Sequence, residues 1–264
     1  MISVSLLSVG LVGPGLPDWQ RSAALLSGET PYQPESVPPL TPALLKPNER
    51  RRTSNTIKLA LQAASDALSQ TPPEHERLSV FASSEGDLDI LNQICTALSQ
   101  QGRPVSPTQF HNSVHNAAAG YWSIACGHQQ ASTSLAGLQG TFASGLLEAA
   151  LQAATENMQV LLVAYDHPSP FPLDQIITLN GLLAVALLLA PHDSDTKRIA
   201  ELFIDTSNEC ADEMMADAQM EAIRLASPTG KSLPLLSALA QQCRTSLHLP
   251  YLPELDLKVE IRPC

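Results

Sequence analysis

Apolar positions along the chain fall into strand-like and helix-like runs that follow one another in a regular way. Residues 2–12, ISVSLLSVGLV, alternate apolar and small polar positions and then run apolar, which predicts a buried first strand. Between Pro31 and Pro47 the density of prolines forbids regular structure and predicts an ordered surface loop. NERRRTSNTIKLALQAASDAL then places Ile57, Leu59, Ala60, Leu61, Ala63, Ala64, Ala67 and Leu68 at the spacing of a helix packed on both sides, with Pro72 and Pro73 to stop it. LSVFASSEGD reads as a strand entering a small polar turn, and DLDILNQICTALSQ as an amphipathic helix behind it. The most regular passage spans residues 131–166. Ala136, Gly137 and Gly140 form a turn, an Ala- and Leu-rich buried helix follows, and VLLVA reads as a buried strand. Further on, NGLLAVALLLA, KRIAELFID and LDLKVEIR read as strands, and CADEMMADAQMEAIRLA and LPLLSALAQQCRT as helices.

With 264 residues, 44% of them hydrophobic, the chain has enough apolar material for one large α/β domain spanning residues 1–264. A net charge of −11 disfavours a nucleic-acid partner, because phosphate binding depends on clustered Lys and Arg, and none is expected. The one basic run, Arg50 to Arg52, reads as a solvated helix start, with docking of an acidic carrier protein as the other reading. Five cysteines (Cys95, Cys126, Cys210, Cys243, Cys264) stand apart with no CxxC pair, which predicts buried or incidental thiols in a reducing compartment. With apolar runs shorter than a membrane span and no leader pattern, the expected location is the cytoplasm, without membrane insertion.

Three local motifs lead nowhere. Gly10, Gly13 and Gly15 imitate a dinucleotide fingerprint, but Pro14 and Pro17 interrupt the turn and no amphipathic helix opens behind it. TGKS at Thr229 to Ser232 is no phosphate loop, because the motif's first glycine would fall on Leu225. His111 and His115 have the i, i+4 spacing of a zinc pair, yet Asn112 follows where a metalloprotease helix carries Glu, and no third ligand stands nearby. No metal and no cofactor is expected.

Two linked stretches resemble the β-ketoacyl synthases of the thiolase superfamily. In the first, the turn, helix and strand of residues 131–166 resemble the synthase nucleophile segment, and ungapped superposition of LLEAALQAATENMQVLLVA puts Gln139 where the synthase carries its Cys. In the second, PVSPTQFHNSVHNAAAGYWSIACG, the residues Pro107, Phe110, Asn116, Ala117, Ala118, Gly120, Ser123 and Ile124 match a proline-led approach, a Phe and an Asn-Ala-Ala-Gly turn into a helix. Trp19 and Gly28 stand at matching places in the opening segment. The resemblance implies a thiolase-like (ketosynthase) α/β fold, with an intact N-terminal half over residues 1–205 and an abbreviated remainder over residues 206–264. In that reading KRIAELFID is the edge strand closing the first half.

A Gln at the nucleophile position resembles the chain length factors, the non-catalytic partner subunits of iterative synthases. Decarboxylative condensation needs a thiolate and two histidines that stabilise the enolate, and the family's two histidine contexts have no counterpart here; His248 matches neither. What the resemblance implies is a truncated chain length factor, as in bacterial aryl polyene systems. Such a chain forms a heterodimer with a full-length catalytic ketosynthase, serves an acyl carrier protein through that complex, and closes the partner's acyl tunnel. The expected tunnel and interface residues are Phe110, His111, Ser113, Val114, His115, Asn116, Tyr121, Ser134 and Leu135. Gln139 is expected to fill the vacated nucleophile pocket by bonding to neighbouring backbone. Two other readings stay open: a Gln-type malonyl decarboxylase supplying starter units, and a degenerate scaffold that only stabilises its partner.

Overall fold

The computed structural model describes residues 1–71, 76–102, 104–192 and 197–264. In chain order the elements are β1 (Ile2–Val12), α1 (Trp19–Leu26), α2 (Pro47–Arg50), α3 (Asn55–Ser69), β2 (Leu78–Ala82), α4 (Leu88–Ser99), α5 (Pro107–Asn112), α6 (Ala117–Cys126), β3 (Ser132–Leu135), α7 (Thr141–Glu156) and β4 (Val160–Asp166). They continue with β5 (Leu183–Pro191), β6 (Ala200–Ser207), α8 (Ala218–Ala226), α9 (Leu233–Ala240), β7 (Thr245–Leu252) and β8 (Leu255–Pro263). Among the described residues the strands form one mixed sheet in the order β3-β2-β4-β5-β1-β6-β8-β7. Strands β3, β2 and β4 run parallel, and every pairing from β4 outward is antiparallel.

Continuous apolar runs such as VLLVA arise because both faces of the central strands are covered. Leu162 and Ala164 of β4 enter one core with Phe142, Leu146 and Ala150 of α7, while Leu161, Val163 and Tyr165 enter the other with α3 and α6. The alanines predicted to line two sides of α3 let it lie flush on β1. A Cβ at Gly10 would stand 2.0 Å from the Ala63 carbonyl oxygen, so that glycine is required by close approach. Asp66 of α3 fastens the same corner, its Oδ2 accepting from the N–H groups of Leu11 (3.0 Å) and Trp19 (2.7 Å).

The remainder departs from its expected form in several places. KRIAELFID is no edge strand: β6 pairs with β1 on one side and β8 on the other. The edge on that side is β7, TSLHLPYL, a strand that periodicity did not reveal, because Pro250 and alternating half-exposed positions dilute its pattern. LPLLSALAQQCRT is helical only to Ala240, and the chain turns at Gln242, whose φ is +50°. CADEMMADAQMEAIRLA begins its helix only at Ala218. Asp217 caps it by accepting from the N–H groups of Gln219 and Met220, while the preceding acids serve elsewhere, Asp212 on Arg224 (3.0 Å) and Glu213 on the His248 N–H of the edge strand (3.0 Å). The long helix expected from Asn48 is split, because Ser54 caps α3 through the Ile57 N–H. Its C-terminus follows Ser69, and the stop assigned to Pro72 and Pro73 lies outside the described residues.

Candidate functional site

Helix α6 carries few polar side chains, Tyr121 and Ser123 alone, a pattern that calls for extensive burial. Only one side has cover. Ala117, Ala118, Ala119 and Trp122 are buried against β2 and α3, whereas Ile124 is 65% exposed and Gly120 lies open. The approach to it, through α5, exposes Phe110 (67%) and Val114 (51%). Strand β3, at the end of the sheet, borders the same region. Asn116, Ala119, Gly120 and Ser123 together with Ser132 and Ser134 line a depression of about 360 Å³. Ile124 was not among the residues singled out for this face; the missing polar side of α6 was the signal.

Beneath that face lies a polar anchor. Asn112 is 2% exposed; its Nδ2 donates to the Arg52 carbonyl (2.7 Å) and its Oδ1 accepts from the Tyr121 hydroxyl (3.1 Å) and the His111 Nδ1 (3.1 Å). Half-burial raises the Tyr121 pKa, so the phenol remains a donor. Ser113 donates to the Phe110 carbonyl (2.8 Å), and His115 Nε2 lies 2.9 Å from the Ser83 carbonyl. The α5 helix ends before His115, so the two histidines do not share a helical face and turn to different partners. Among the described residues no group of three or more His, Cys, Asp or Glu side chains is arranged to hold a metal. Leu135 is set apart from its fellow candidates: Ser134 lies across from Phe81 and faces the α6 side, whereas Leu135 lies across from Ala82 and packs into the α7 core.

Gln139 occupies a different place, in a 3₁₀ turn (Leu138–Gly140) at the start of α7. Thr141, fully buried, shapes this turn by accepting from the Gly137 N–H (3.0 Å) and donating to the Leu138 carbonyl (2.7 Å). Leu138 is held at φ +51° and is 77% exposed. The hairpin joining β7 to β8 closes over Gly140, where a Cβ would stand 2.0 Å from the Tyr251 carbonyl oxygen. Contrary to the expectation of a filled pocket, Gln139 is exposed and, among the described residues, its carboxamide makes no hydrogen bond. It sits between a depression of about 260 Å³ lined by Ser84, Glu85, Thr178 and Ser227 and an apolar one of about 410 Å³ lined by Pro250 to Pro253. Behind it, Asp166 is fully buried, with Oδ1 accepting from the N–H and hydroxyl of Ser84 and Oδ2 from the Thr229 N–H (2.9 Å). Burial raises its pKa, against the pull of those donors.

All five cysteines are free, and Cys126, on α6, has its pKa pushed up to about 11 by burial, with Arg77 opposing.

The family model described as the N-terminal domain of β-ketoacyl synthase matches residues 19–248. This chain belongs to that family. The similarity of this ketosynthase-family chain extends to solved structures over its whole length. A chain of the ketosynthase (ApeO) in complex with its chain length factor (ApeC) from Xenorhabdus doucetiae is 21% identical, with a TM-score of 0.74 and coverage of 98% of this chain and 100% of that one. The ishigamide ketosynthase/chain length factor gives 12% identity, a TM-score of 0.72, and coverage of 100% and 99%. AntDE:AntF, a type II polyketide synthase acyl-carrier protein in complex with its ketosynthase bound to the hexaketide, gives 11%, 0.74, and coverage of 100% and 99%. At these identities the likeness establishes the thiolase-like fold. No curated protein matches the sequence significantly. Among the described residues no helix is long and apolar enough to cross a membrane.

Proposed function

We propose that this chain is a non-catalytic chain length factor: it pairs with a catalytic β-ketoacyl synthase, closes the far end of that enzyme's acyl tunnel, and so sets product length in a type II polyene or polyketide system. One observation carries the reading. The family's Asn-Ala-Ala-Gly helix is largely apolar yet leaves Ile124 uncovered beside the edge strand β3, and the segment leading into it leaves Phe110 and Val114 uncovered. Uncovered apolar surface next to a sheet edge is what a permanent partner buries. Phe110, His111 and Val114 are then the tunnel wall, Ser113, His115, Asn116 and Tyr121 its support, and Ser134 its border on β3. Leu135, turned toward the α7 core, has a lesser part.

An exposed glutamine at the nucleophile turn fits a subunit without acyl-thioester chemistry, and the condensation belongs to the partner. The acyl chain arrives on an acyl carrier protein through the complex, which works in the cytoplasm and takes no nucleic acid or metal. The test is co-expression with a type II ketosynthase, followed by the mass of the purified complex and of the acyl chains it builds. A one-to-one complex whose products lengthen on Phe110→Ala supports the reading; a chain that ignores the ketosynthase sinks it. Unchanged product length on Phe110→Ala within a stable complex favours the scaffold reading.

The unbonded carboxamide of Gln139 favours one second reading, in which it orients a malonyl thioester for decarboxylation. Carbon dioxide release from malonyl carrier protein, lost in Gln139→Ala, is the result that would establish it.

A further inference from the structure

We infer that Asn112 is a positioning residue for product length, holding the tunnel wall at a fixed depth without itself meeting the acyl chain; this rests on the chain-length reading above. Helix α5, which carries Phe110, has only six residues, and no side chain caps its N-terminus. So short a helix has little stability of its own and takes its place from its attachments. On its outer side Gln109 bonds to Gln93 of α4 at an exposed position (2.6 Å). On its inner side the attachment is Asn112, almost fully buried and tied to two separate parts of the fold. Its Nδ2 reaches the Arg52 carbonyl in the turn before α3, and its Oδ1 receives the Tyr121 hydroxyl from α6.

The orientation of this carboxamide is fixed by its partners. A carbonyl oxygen accepts only, so the amide nitrogen must face Arg52; the amide oxygen must then face the phenol and the His111 Nδ1–H. His111 completes the cluster by standing edge-on to the Tyr121 ring, 6.0 Å between centroids at 83°. Three elements therefore meet at one side chain, and Phe110 is its neighbour but one in sequence. A buried donor left facing nothing, or an oxygen facing the Arg52 carbonyl, displaces α5 by cost alone. The displacement reaches the wall more than the core, because Phe110 and Val114 are mostly exposed and belong to neither core cluster.

The experiment uses the heterodimer with the ketosynthase. Asn112→Asp preserves shape while removing the donor to Arg52, and Tyr121→Phe removes one donor to Asn112 with less risk to folding. Both variants are expected to keep the one-to-one complex and to raise the ratio of over-length to native-length product, Asn112→Asp by roughly fivefold or more. In a Phe110→Ala background Asn112→Asp should add no further lengthening, since the wall it positions is gone. Intact complexes that merely melt earlier, with product ratios unchanged in both variants, would overturn the inference and leave Asn112 a packing residue. Should Asn112→Asp fail to assemble, the Tyr121→Phe ratio decides alone. A Phe110→Ala complex with unaltered products is a separate outcome, which rejects the chain-length reading itself.

Discussion

Two surface regions of the molecule descend from the stretches that resemble the synthases, and they are built in opposite ways. Around α5 and α6 the exterior is apolar and uncovered, while the order lies beneath it in the buried bonds of Asn112. Around the turn at Gln139 the order lies in the backbone, with Gly140 pressed against Tyr251 and Thr141 bracing the turn, while the side chain at the centre is left unbonded. A surface meant for a partner has to hold its side chains in place before the partner arrives. The turn at Gln139 is held through its backbone path, because helix α7 and the β7–β8 hairpin pack through it.

The largest effect that separates the two regions is expected at Gly140. Gly140→Ala places a methyl group 2.0 Å from the Tyr251 carbonyl oxygen, a backbone atom that cannot swing aside. The hairpin must lift, at about 3 kcal/mol, the upper end of overpacking costs. Urea unfolding of the chain with its partner measures this, and a loss below about 1 kcal/mol would mean that the hairpin rests only lightly on the turn.

Next in size is the opposite substitution on the other face. Ile124→Glu puts a charge on a side chain already 65% exposed, so unfolding of the isolated chain should change by less than about 0.5 kcal/mol. In the heterodimer the same carboxylate would be buried unpaired, and affinity for the ketosynthase should fall by about 2 kcal/mol. Titration calorimetry against the ketosynthase distinguishes the cases. Unaltered affinity would remove Ile124 from the interface.

How far the sequence could be read follows the same division. The central strands were legible because burial on both faces leaves an apolar run with no other explanation, and the alanines of α3 announced a helix packed on two sides. Residues 206–264 were less legible. There β7 carries a proline and half-exposed positions, and the acids before α8 are spent on tertiary bonds to Arg224 and His248 that no periodicity encodes. In the candidate site, Phe110 and Val114 were singled out from the family pattern and are exposed, whereas Asn112 was not singled out. Its importance comes from the Arg52 carbonyl and Tyr121, sixty residues upstream and nine downstream, which only the fold brings together.

A smaller effect, visible in pH, belongs to the Gln139 side. Asp166 has a folded-state pKa raised by burial, so the folded chain binds its proton more tightly than the unfolded chain does. Its contribution to stability is fully present below the ordinary aspartate value of about 3.9 and is lost as pH rises through the raised one. Asp166→Asn should flatten that part of the pH–stability curve, measured by urea unfolding at a series of pH values from the acid side upward. A wild-type curve that rises through this window more steeply than the variant's would mean that the Ser84 and Thr229 donors outweigh burial.

The smallest effect is the most pointed. Gln139, in the 3₁₀ turn that opens α7, is exposed and makes no hydrogen bond among the described residues, so Gln139→Ala should alter stability by less than about 0.5 kcal/mol. Product length should not move either, because the wall lies on the other face of the sheet, and the heterodimer should keep its mass. A loss above about 1 kcal/mol in the complex but not in the isolated chain would mean that the partner or its acyl carrier engages the carboxamide. That result would give the turn a ligand, and the contrast between an ordered partner face and a vacant catalytic turn would then hold for the isolated chain alone.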